Sequence, residues 1–157
     1  MIPYIDMHCD TLSHGVKRKA DDIFSLDGTM LDVKRLVKAG AEAQFFAIFF
    51  PPLHRPDRKT DDMTFYRQAR DIFYHTLEKH SDVIAYAGNA VELEHNREGG
   101  KVSGFLTLED GRAVEGNMEK LVQFHADGVR LITLTWNHVN CFGNPNTRDA
   151  KAMQLGL

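Results

Sequence analysis

Between residues 3 and 10 polar and apolar positions alternate, with Ile5, Met7 and Cys9 on one side and Asp6, His8 and Asp10 on the other. That period of two predicts a strand ending in polar groups. Leu31, Val33, Leu36 and Val37 recur at helical spacing up to Ala39, and Gly40 stands just past them, which predicts a short amphipathic helix over residues 31–39. Residues 43–50 form an almost unbroken apolar run stopped by Pro51 and Pro52. Such a run suits a strand covered on both faces, as in parallel sheets flanked by helices.

A proline-rich, basic loop over residues 51–59 leads to Thr60, which reads as the N-cap of a helix. In it Met63, Tyr66, Ala69, Phe73 and Leu77 recur toward His80, making this the longest helix expected in the chain. Residues 83–87 suggest a short strand. Asn89 with Glu92 reads as a capping-box-like start of a further helix, ended by Gly99-Gly100. Residues 102–109 then form a strand, a helix centred on residues 118–125 is closed by Gly128, and residues 129–135 form one more strand before an Asn-Pro-Asn turn at 144–146. The order is mostly βαβα, so the fold class is α/β with a parallel sheet, in one domain over residues 1–157 without repeat or linker. A complete β/α barrel needs about 200 residues or more, so 157 residues could hold only about half of one.

Composition narrows the functional classes. Hydrophobic residues make up 43% of the chain, enough for a real core, and a net charge of -3 offers no basic field for a nucleic acid. No run reaches the roughly 18 apolar residues of a spanning helix and the first residues have no signal-peptide pattern, so the expectation is a cytoplasmic protein without a membrane segment. The two cysteines, Cys9 and Cys141, fit no zinc-finger or small-disulfide spacing. Cys9 alternates away from the polar face and reads as a small buried residue.

Three segments carry candidate chemistry. Positions two apart on a strand share a face, so His8 and Asp10 can grip one divalent cation, with Asp6 orienting the His8 ring. The plainer alternative is a polar strand end with a capping aspartate. In Phe105-Leu106-Thr107-Leu108-Glu109-Asp110-Gly111, Glu109 falls at the carboxyl end of a strand, the end at which barrel active sites lie. Facing His8 and Asp10, it could hold two cations with a bridging water, while Asp110 serves as a helix-capping acid. In the third segment Trp136 and His138 share a face at a strand end, either as substrate contacts or as a core aromatic and an ordinary loop residue. The other six histidines, 14, 54, 75, 80, 95 and 125, have no partner spacing and read as structural or exposed.

Taken in order, Ile5-Asp6-Met7-His8-Cys9-Asp10-Thr11-Leu12, Leu108-Glu109-Asp110-Gly111, and Gly128-Val129-Arg130 through Leu134-Thr135-Trp136-Asn137 resemble the renal (membrane) dipeptidase family, as does Gly40-Ala41 through Gln44-Phe45-Phe46-Ala47. The resemblance implies an eightfold β/α barrel of the metallohydrolase type with two zinc ions, hydrolysing dipeptides by a metal-bridging water. It implies His8 and Asp10 as ligands of the first ion, and Glu109 as the bridging ligand and catalytic residue. Two departures stand out. Close members place a substrate-binding histidine directly after the Thr-Leu-Thr strand, where this chain has Trp136, with His138 as the nearest histidine. The family also draws the second ion's histidines, and an arginine and an aspartate, from its carboxyl-terminal half. The isolated chain is therefore expected to bind the first ion at most, with little activity, and its uncovered sheet edges favour a homo-oligomer. The alternatives are another barrel metallohydrolase acting on amides or phosphoesters, or a non-catalytic metal-binding or assembly domain.

Overall fold

A computed structural model describes residues 2–51 and 60–145. Its strands are β1 (Tyr4–Cys9), β2 (Ala41–Phe49), β3 (Ile84–Tyr86), β4 (Val102–Glu109) and β5 (Val129–Thr133), all parallel in one sheet. Its helices are α1 (Thr11–Arg18), α2 (Val33–Ala39), α3 (Asp62–Lys79), α4 (Ala90–Glu98) and α5 (Met118–Ala126), with a 3-10 turn at Gly111–Val114. The order across the sheet is β1-β2-β4, and the far side of β4 is shared by β3 near its start and β5 near its end. This is the open parallel arrangement of part of a β/α barrel, in agreement with the βαβα reading.

The alternation along the central strands builds the core. Phe46, Ile48 and Phe50 of the second strand segment and Leu106 and Leu108 of β4 are buried in one cluster with Phe65, Tyr66, Phe73 and Leu77 of α3. Gly104 makes that docking possible, because a Cβ there would stand 3.2 Å from the Phe73 ring. On the opposite face Phe45 stacks on Phe105 at 4.4 Å, forming a smaller cluster with Ala43, Ala87 and Leu93 of α4. Asn96 of α4 donates to Ser103 Oγ and to the Tyr86 carbonyl, so α4 closes the amino end of this inner face.

Several element limits differ from the sequence reading for identifiable reasons. The N-cap of α3 is Asp61, whose carboxylate accepts from the Thr64 amide at 2.9 Å, and Thr60 lies one residue too early for that bond. Asp32 and Asn89 cap α2 and α4 in the same way. Helix α1 went unforeseen because Gly15 interrupts a short, weakly apolar stretch. Tertiary contacts hold it instead: Ser13 Oγ accepts from the Phe49 amide and donates to its carbonyl, and Thr11 donates to the Leu31 carbonyl. On the face that carries Ile5, Met7 and Cys9, Cys9 is buried as expected, while Ile5 and Met7 are 45% and 55% exposed. β1 pairs on one side only among the described residues, and its register breaks between Asp6 and Cys9, which interrupts the alternation. β5 stops at Thr133, so Trp136 and His138 belong to a loop rather than a strand face. His54 and the end of the 144–146 turn lie outside the described residues. Of the other histidines treated as structural, His80 stacks on Phe24 with ring centroids 4.0 Å apart.

Candidate metal centre

β1 and β4 run in the same direction with β2 between them, so their carboxyl ends open at one end of the sheet. His8 is the penultimate residue of β1, Asp10 follows the strand directly, and Glu109 is the last residue of β4. From these positions His8 Nε2 reaches to 3.1 Å from Glu109 Oε2 and 3.5 Å from Asp10 Oδ1. One donor atom from each of the three lies within 4.8 Å of the others. The sequence reading placed these three together, and the structure brings them together.

The electrostatics of the cluster favour a cation. Asp10 is the N-cap residue of α1, yet its carboxylate makes no capping hydrogen bond, and its Oδ1 is buried without a hydrogen-bond partner. Burial, and then the neighbouring Asp10 carboxylate, push the Glu109 carboxyl above its ordinary range, with His8 offsetting part of the effect. Two carboxylates and an imidazole, crowded with one buried oxygen left without a hydrogen bond, form an N/O donor set suited to a divalent ion such as zinc. These residues fit the group that the resemblance implies.

The neighbours of the cluster have more specific roles than the sequence suggested. Asp6 accepts a hydrogen bond from the His8 backbone amide at 3.2 Å, and so braces the strand end instead of orienting the imidazole ring. Cys9 is buried, and burial pushes its thiol up to about 11, which agrees with its reading as a small core residue. Asp110 caps the 3-10 turn as expected, its carboxylate accepting from the Arg112 amide at 3.0 Å. Arg112 folds back beneath this corner, with Nε and Nη2 donating to Asp62 at 2.9 and 3.0 Å and Nη2 also to the Pro51 carbonyl at 2.6 Å. Its guanidinium lies 5.4 Å from the Phe50 ring centre.

Trp136 and His138 occupy the loop after β5, half-buried, with ring centroids 6.5 Å apart. Trp136 meets Phe49 edge to face at 4.9 Å, and Phe49 is the register partner of Glu109. Phe49 was read only as part of an apolar run. Its place beside the site follows from strand register, which that run does not reveal.

The chain is similar to the solved structure of dipeptidase AC, a metallopeptidase of family M19, at 26% identity and a TM-score of 0.73, covering 91% of this chain and 45% of that one. A metallopeptidase from Rhodobacter sphaeroides, solved with a phosphinate mimic of the dipeptide L-Ala-D-Ala, matches at 24% identity and a TM-score of 0.72 over 91% of this chain and 48% of that one. The probable dipeptidase PvdM from Pseudomonas aeruginosa matches at 16% identity and a TM-score of 0.76, over 91% and 37% of the two chains. The chain thus spans about half, or less, of the length of these solved relatives. Its family is fixed by a match along almost all of its own length: over residues 1–156 it fits the membrane dipeptidase model, and it belongs to that family, peptidase family M19.

Proposed function

We propose that this chain carries the first half of the metal site of a zinc-dependent dipeptidase, with His8 and Asp10 holding one ion and Glu109 placed to bridge to a second. The observation that carries this reading is the convergence of these three side chains, from the ends of two strands separated by a third, within 4.8 Å. Bound zinc lowers the pKa of a coordinated water and polarises a scissile carbonyl, which is the chemistry of amide hydrolysis. The chain's own residues supply the setting. His8 and Asp10 would hold the ion at a strand end braced by Asp6, and Glu109, 3.1 Å from His8, would offer a further carboxylate.

Phe49 and Trp136 form an aromatic wall beside Glu109, suited to covering the apolar part of a dipeptide and excluding water, with His138 next to Trp136. A dipeptide substrate is further supported by the dipeptide mimic bound to the Rhodobacter sphaeroides metallopeptidase. Elemental analysis of the purified chain tests the metal site. Zinc near one equivalent, lost in the His8→Ala, Asp10→Ala double variant with folding intact, is the expected result, and zinc absent from both proteins would reject the reading. Among the described residues a single cluster of metal-ligating side chains converges, so little peptidase activity is expected from the 157-residue chain by itself.

Self-association belongs to the same proposal. β1 and β5 each pair on one side only among the described residues, and Ile5, Met7, Met118 and Val122 are exposed along these two flanks. Open parallel edges beside exposed apolar side chains favour pairing between copies. Sedimentation velocity should show dimers or larger species growing with concentration; a monomer at all concentrations would rule this out.

A further inference from the structure

The residue after Glu109 has an unusual backbone. Asp110 adopts φ 82° and ψ 111°, a conformation that residues other than glycine rarely take, and it is almost fully buried. Its carboxylate is engaged in two directions. Oδ1 accepts from the Arg112 amide, and also from Asn140 Nδ2 at 2.7 Å. Oδ2 has no hydrogen-bond partner and lies 3.6 Å from Arg112 Nη1.

Asn140 is the other half of the contact. The same amide nitrogen donates to the Leu134 carbonyl at 2.8 Å, so one side chain ties together both ends of the loop that contains Trp136 and His138. Its own oxygen accepts from the Phe142 amide at 2.8 Å, and its backbone exchanges hydrogen bonds with Gly143, which fixes the amide's orientation. Gly111 completes the seat. A Cβ at that position would stand 2.6 Å from the Phe142 ring and 3.1 Å from the Leu134 carbonyl, so only a glycine lets the loop come this close.

We propose that Asp110 is a positioning residue, which holds the aromatic loop beside Glu109 through its hydrogen bond to Asn140. The peptide that ends β4 with a metal-binding carboxylate thereby also sets where Trp136 stands against Phe49. The inference rests on the metal-site reading only for what the loop covers, since the clamp itself is made of protein atoms.

Trp136 is the single tryptophan of the chain and reports the loop directly. Its emission maximum and its quenching by acrylamide are to be measured in metal-free parent chain, Asp110→Gly and Asn140→Ala. Asp110→Gly suits the backbone conformation while deleting the acceptor, and Asn140→Ala lies outside the core, so it decides the matter should the first variant fold poorly. Both variants are expected to show red-shifted emission and a larger quenching constant with unchanged far-ultraviolet dichroism. Parent-like emission and quenching in a folded variant would overturn the proposal. Zinc content is determined on separate aliquots of the same proteins. A parent chain that retains no zinc would defeat the metal reading while the quenching result still decides the clamp.

Discussion

Arg112→Ala is expected to lower the unfolding free energy by about 3–5 kcal/mol, the usual cost of removing one partner from a buried ion pair. The arginine side chain is 7% exposed, and its two-pronged hydrogen bonding to Asp62 is lost when the guanidinium goes. The Pro51 carbonyl loses its 2.6 Å donor, the Phe50 ring loses its cation, and Asp110 loses the guanidinium 3.6 Å from its second oxygen. For a domain of this size the loss corresponds to a fall in melting temperature of about 6–20 °C. Urea unfolding of the metal-free proteins checks the figure. A loss below about 1 kcal/mol, as for an exposed ion pair, would show that water substitutes for the guanidinium at this corner.

Glu109→Gln should separate metal binding from stability. Zinc affinity is expected to fall at least about a hundredfold, since even contacts that merely support a ligand cost 10–100-fold when lost. Stability without metal should move the other way. The folded state raises the Glu109 carboxyl above its ordinary value of 4.5, through burial first and the Asp10 charge second. A raised acid binds its proton more tightly in the folded than in the unfolded state. Stability is therefore lost as pH rises from that ordinary value through the raised one, and the loss persists above it. Glutamine carries no such charge. The metal-free variant should be more stable than the parent chain at neutral pH, with a flatter pH profile from 4.5 upward. Thermal unfolding in chelator across that range measures both. A variant less stable than the parent at neutral pH would mean that the 3.1 Å contact with His8 outweighs repulsion from Asp10.

Much of this architecture was legible in the chain because burial and periodicity coincide in the central elements. The run from Val102 to Glu109 is almost wholly buried, and its limits match those expected. The limits of α4 also match, with Asn89 accepting from the Glu92 amide, and α2 ends before Gly40 (φ 74°) as expected but starts at Val33 instead of Leu31, because Asp32 caps it. His8, Asp10 and Glu109 could be picked out because strand ends carry polar residues there against the local apolar pattern. What escaped depends on contacts distant in sequence. α1 rests on Ser13 meeting Phe49, and the faces of β1 depend on a register break and an unpaired edge. Trp136 follows a strand two residues shorter than its β-branched, threonine-rich sequence implies. The bond from Asp110 to Asn140 spans 30 residues with no motif to announce it.

The central place of β4 has a consequence during synthesis. β2 pairs with β4 and not with the next strand in the chain, and Thr107 reaches back 61 residues to bond the Phe46 carbonyl. Among the described residues β3 and β5 attach to β4 alone. A nascent chain that has emerged from the ribosome only as far as α4 can therefore pair β1 with β2, but it leaves the other edge of β2 bare. Until Glu109 clears the exit tunnel, the β4-facing edge of the apolar segment 43–50 stays unpaired, and that interval is when the growing chain most needs shelter from its neighbours.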